Sequence, residues 1–101
     1  VSDKYGLSIA TVEKINSVFE KHPLIEKAIL YGSRAKGTFK PGSDIDLVLI
    51  APKLTLTEFL KIENDLEDLL IAQKVDLSLF HSIDNESLID HIKRLGKDFF
   101  P

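Results

Sequence analysis

Leu30-Tyr31-Gly32-Ser33-Arg34-Ala35-Lys36-Gly37-Thr38-Phe39-Lys40-Pro41-Gly42-Ser43-Asp44-Ile45-Asp46-Leu47-Val48-Leu49 joins two apolar runs through a short polar connection. The first run ends in Gly32-Ser33, ten residues follow, and the second opens with Asp44-Ile45-Asp46. Side chains alternate faces along a strand, so Asp44 and Asp46 share one face while Ile45 and Leu47 share the other. Two carboxylates side by side repel unless something positive lies between them. A hard divalent cation is the usual answer, and Mg²⁺ in particular takes carboxylate oxygens together with substrate phosphates. Gly32 allows close backbone approach, and the Gly32-Ser33 pair offers N–H groups and a hydroxyl that suit a phosphate. Together these features predict phosphoryl or nucleotidyl transfer. A simple Gly-Ser-Asp turn with an Asx-type bond explains Asp44 but leaves Asp46, inside the strand, without a reason.

Outward from this stretch, the pattern predicts alternating helices and strands. Ser8 is placed to cap a helix whose apolar residues Ile9, Val12, Ile15, Val18 and Phe19 recur at helical spacing. Pro23 stops it near Lys21 or His22. Ile25 to Tyr31 reads as a strand, residues 33–38 as a short helical turn, and Asp44 to Ala51 as a second strand buried on both faces. Thr55 and Glu58 have capping-box spacing for an amphipathic helix running to about Ala72. Val75 to Phe80 alternates as a third strand. Asp84 is expected to cap a last helix through Leu88, Ile89, Ile92 and Leu95, with Gly96 closing it. Val1 to Leu7 reads as polar and loosely held, and Lys97 to Pro101 as a tail exposing Phe99 and Phe100 unless it folds back. This order predicts an α/β domain, a small mixed sheet flanked by helices. The short link between the first two strands favours an antiparallel pair.

With 101 residues, the chain has room for one domain, spanning 1–101, rather than two. A formal charge of −3 argues against a module that grips nucleic acid through its backbone, so nucleic acid is not indicated. The absence of cysteine excludes disulfides, zinc-thiolate sites and thiol catalysis. No apolar run approaches the roughly 20 residues of a membrane span. These features fit a cytoplasmic protein away from membranes.

Asp76 is a third carboxylate of interest, because a lone Asp on an apolar strand is costly to bury unless paired or bound to metal. It either joins Asp44 and Asp46 or lies on the solvated face of an edge strand, and the sequence leaves both open. Arg34 and Lys36, just past Gly32-Ser33, are candidates for phosphate oxygens, although a solvated basic turn is the simpler reading of Lys36. His22, His81 and His91 have no sequence partner at metal spacing, so they read as surface or capping residues.

Tyr31-Gly32-Ser33, the ten-residue interval and Asp44-Ile45-Asp46-Leu47 resemble the signature of the DNA polymerase beta-like nucleotidyltransferase superfamily. The Gly-Ser-Arg-Ala-Lys-Gly run and the short length are most similar to its minimal nucleotidyltransferases, the MNT proteins. The resemblance implies a mixed sheet with flanking helices, two Mg²⁺ ions and a nucleoside triphosphate donor, with ATP the expected one, giving a nucleoside monophosphate to a hydroxyl. By the same match Asp44, Asp46 and Asp76 would be catalytic metal ligands, with Asp76 placed to activate the acceptor, and Gly32, Ser33 and Arg34 would meet the nucleotide. It further implies a small helical HEPN-type partner in a toxin–antitoxin pair, this chain acting as antitoxin, or a second copy of the chain supplying what so short a domain lacks. The competing reading is a catalytically silent binding module that acts by complex formation with a helical partner, its interface supplied by the Phe99-Phe100 tail and apolar helix residues.

Overall fold

A computed structural model describes residues 4–101. Helix α1 (Ile9–Glu20) starts where expected: the Ser8 side chain accepts a hydrogen bond from the Thr11 amide, and Val12, Ile15, Val18 and Phe19 form its buried stripe. The chain then passes through β1 (Lys27–Tyr31), the single-turn α2 (Gly32–Lys36), β2 (Ile45–Ile50) and α3 (Leu56–Glu67). It ends with β3 (Val75–Leu79), a 3₁₀ turn (Phe80–Ser82), α4 (Glu86–Leu95) and β4 (Lys97–Phe100).

The four strands form one sheet in the order β3-β2-β1-β4. The pair β1–β2 is antiparallel, as the short link requires, and β2–β3 is parallel because α3 carries the chain back across the sheet. The sheet is therefore mixed. Ala28, Leu30, Ile45, Leu47, Leu49 and Leu77 share one face and join α1 and α3 in the main core. Ile29, Tyr31, Asp46, Val48, Asp76 and Ser78 occupy the opposite face by the same alternation. There α4 covers part of the sheet, with Ile92 buried and Gly96 pressed so close to Ile29 and the Ile92 carbonyl that a β-carbon would overlap both.

Four expectations from the sequence are corrected. The segment Lys97–Phe100 is not an exposed tail: it pairs with β1 as β4, and Phe99 is buried in the core. Its two charged residues and two phenylalanines suit an edge strand, so of the two surfaces of the binding-module reading only the apolar helix residues remain, with Leu56 and Leu60 of α3 exposed. Helix α3 stops at Glu67 rather than Ala72, because the backbone turns through Leu69 and Ile71 and leaves Leu70 on the surface, 90 % exposed. Asn85, not Asp84, caps α4 by accepting from the Leu88 amide. Near the N-terminus, Lys4 and Leu7 exchange backbone hydrogen bonds and Leu7 is fully buried, while residues 1–3 of that expected loose segment lie outside the described part.

His22, at the end of α1, lies within 4 Å of Glu58 and Asp65 of α3, which ties the two helices on the core face together. Among the described residues no helix is long and apolar enough to cross a membrane.

Candidate active site

The site is assembled at one end of the face opposite the main core. Leaving β1, the chain must turn sharply into α2, and Gly32 makes the turn with φ of +75°, a left-handed conformation that other residues adopt only with strain. Space demands glycine as well, since a β-carbon at this position would run into the Asp46 carboxylate. Gly32 and Asp46 are therefore in intimate contact, which the spacing of the motif only hinted at.

Asp46 stands opposite Tyr31 of β1 and opposite Asp76 of β3 in the strand registers. Asp44, one residue before β2, lies on the same side by alternation and is exposed. The structure thus brings Asp46 and Asp76 together and leaves Asp44 exposed, near enough for its charge to act on Asp46. Burial pushes the Asp46 carboxyl above its ordinary 3.8, and the charges of Asp76 and Asp44 push it further, against a smaller opposing effect of Arg34. Tyr31 is also raised, chiefly by burial and also by Asp46 and Asp76, while its hydrogen bond with the Ser78 hydroxyl at 3.3 Å opposes the rise.

Arg34 takes a different place from the one its motif position suggests. It is 2 % exposed, and its guanidinium donates to the Ser43 carbonyl at 2.9 Å, the Tyr5 carbonyl at 3.0 Å and the Pro41 carbonyl at 3.4 Å. Its plane also lies 5.0 Å from the centre of the Phe39 ring. These bonds tie the Lys4–Leu7 turn to the loop that delivers Asp44. Ser33 is half-buried beside Gly32, whereas Lys36 is exposed.

His91 is the residue that sequence reasoning missed. Its Nε2 accepts the Gly32 N–H at 3.1 Å, and its ring meets Tyr31 edge to face at 6.2 Å. The sequence carried one faint signal: His91 lies three residues after Leu88 and four before Leu95, on a stripe otherwise expected to be apolar.

The donor chemistry suits a hard cation. Asp44, Asp46 and Asp76 supply carboxylate oxygens whose mutual repulsion already disfavours ionisation of Asp46, and a cation would relieve it. Among the described residues no three His, Cys, Asp or Glu converge tightly enough to hold a metal by themselves. Mg²⁺ does not require such a cage, since it is commonly held by one or two carboxylates, water and substrate phosphates. A separate groove of about 410 Å³ runs between α3 and β3, lined by Glu63, Glu67, Gln73 and Leu77 among others. It reaches Asp76 but not Gly32, Asp44 or Asp46.

The family described as Polymerase beta, Nucleotidyltransferase matches residues 13–100. Among solved structures, the fold is similar to a toxin–antitoxin crystal structure with AMP-PNP, at 26 % identity and a TM-score of 0.70, covering 87 % of this chain and 71 % of that one. It is also similar to the MntA–HepT toxin–antitoxin (21 % identity, TM-score 0.65, 91 % and 71 % covered). A nucleotidyltransferase-like structure from Sulfolobus solfataricus is more distant, at 17 % identity and a TM-score of 0.53, with 86 % and 73 % covered. No curated protein matches significantly. The family match takes in the Gly32 turn, both carboxylate strands and α4, and on that ground the chain belongs to the polymerase beta nucleotidyltransferase family.

Proposed function

We propose that this protein is a Mg²⁺-dependent minimal nucleotidyltransferase that transfers AMP from ATP to a hydroxyl. The observation that carries the reading is the register of Asp46 opposite Asp76, with the Gly32 backbone packed directly on Asp46. A phosphate seated on Gly32 and Ser33 would lie beside the carboxylates that must act on it.

In this reading Gly32 and Ser33 receive the triphosphate through backbone N–H groups and the Ser33 hydroxyl. Asp44 and Asp46, with Asp76, would hold two Mg²⁺ ions, which supply charge compensation to the attacking and leaving oxygens of an in-line displacement. Asp76, exposed on its strand, is open to an acceptor and takes the proton from its hydroxyl. The acceptor oxygen then bonds to the α-phosphorus as the bond to the β-phosphate bridge breaks, and pyrophosphate leaves. Arg34 is assigned a supporting part: it fixes the loop that presents Asp44 rather than meeting phosphate.

The similar toxin–antitoxin structures support a partner in trans. We place the chain as antitoxin beside a small helical HEPN-type toxin, in the cytoplasm, with the partner's hydroxyl as one acceptor; a homodimer is the other arrangement in which a second chain completes the site. The test is transfer of label from α-labelled ATP to the copurifying partner with release of pyrophosphate. Label left in free nucleotide with release of inorganic phosphate would instead mark a phosphohydrolase.

A further inference from the structure

The Gly32 N–H that the nucleotide reading gives to phosphate is already engaged: it donates to His91 Nε2 at 3.1 Å. That nitrogen therefore carries a lone pair, and the proton of the neutral ring sits on Nδ1. The bond is held by the fold rather than by a wandering side chain. His91 rides on α4, whose next residue, Ile92, is buried and whose end is pressed against Ile29 through Gly96. Tyr31 flanks the ring edge to face.

One N–H has one hydrogen, and its strength falls steeply as the donor–acceptor line bends, so it cannot serve an imidazole lone pair and a phosphate oxygen equally. We propose that His91 is a resident acceptor of the nucleotide site, holding the Gly32 N–H in the free protein and yielding it to a phosphate oxygen of the incoming nucleoside triphosphate. His91 is then a positioning residue. It occupies the Gly32 N–H until phosphate displaces it and so sets how tightly triphosphate binds, without touching the reacting atoms. The inference rests on the assignment of triphosphate to Gly32 and Ser33.

The experiment is nuclear magnetic resonance on the ¹⁵N-labelled chain, reading the scalar coupling across the hydrogen bond between Gly32 N and His91 Nε2. The spectra are taken free and with saturating Mg²⁺·ATP, binding being followed by calorimetry. The coupling is expected in the free chain and should vanish with ATP bound. His91→Ala removes the competing acceptor with a residue that favours helices. It should bind ATP about two- to tenfold more tightly, as expected when a hydrogen bond of ordinary net strength no longer has to be broken. Coupling absent from the free chain, coupling that survives saturation with ATP, or a His91→Ala affinity unchanged or weaker would overturn the proposal. If His91→Ala does not fold, the coupling in the wild-type chain decides alone. No calorimetric binding of ATP would overturn the nucleotide assignment itself, a failure distinct from ATP binding with the coupling intact.

Discussion

Asp46 of β2 faces Asp76 of β3 across a parallel register, so two carboxylates lie side by side on one face of the sheet. Asp46 is partly buried, and both burial and its acidic neighbours raise its carboxyl above 3.8. The folded state consequently holds the Asp46 proton more firmly than the unfolded chain does. Between the ordinary carboxylate value and the raised one, the folded state binds more protons, so this group's contribution to stability is present at low pH and is lost as pH rises through that window. Asp46→Asn removes the charge. At pH 7 the variant should be more stable than wild type, and its stability should fall less on passing from acid to neutral. The gain should appear as a raised melting midpoint at neutral pH that disappears in acid. Thermal melts of both proteins across acid to neutral pH check this, and equal pH profiles would contradict it.

Gly32→Ala should fail on two counts. The left-handed backbone alone costs about 1–2 kcal/mol for a residue with a β-carbon, and that carbon also collides with Asp46. Urea unfolding should show a loss of at least this size, together with loss of nucleotide binding.

Arg34→Lys should be nearly as damaging as Arg34→Met, because a lysine cannot span the Tyr5, Pro41 and Ser43 carbonyls as the planar guanidinium does. Losing bonds from a buried charged donor should destabilise by about 2–4 kcal/mol in urea unfolding. A lysine variant with full stability and weakened ATP binding would instead return Arg34 to the phosphate.

Phe99→Ala should cost about 3–5 kcal/mol, the range for emptying a buried aromatic site, because Phe99 belongs to the core through β4. A change within about 0.5 kcal/mol, typical of surface positions, would return this segment to an exposed tail.

What the sequence made legible was local. Ser8 and Thr55 mark their helix starts because capping is a contact between a side chain and an amide three residues on. The Asp-Ile-Asp alternation places two carboxylates on one face by strand period alone. The rest depended on partners far along the chain. Lys97–Phe100 becomes a strand because β1 offers it an open edge, and four residues carry too little pattern to announce that. Leu69 and Leu70 continue the helical spacing of α3, but the chain must turn there to begin a strand beside Ile45. Arg34 and His91 took their places from contacts with Tyr5, Ser43 and Gly32, none of which spacing reveals. Asp76 is set against Asp46 by the strand register yet stays exposed on the edge strand β3, an arrangement that spacing along the chain does not reveal.

The most direct test of nucleotidyl transfer at this site is calorimetric titration of ATP, with and without Mg²⁺, into the wild-type chain and an Asp44→Asn/Asp46→Asn variant. Binding that requires Mg²⁺ in the wild type and disappears in the folded variant is the predicted result. Wild-type protein that binds no ATP with its copurifying partner present, or a variant that binds Mg²⁺·ATP as well as wild type, would contradict it.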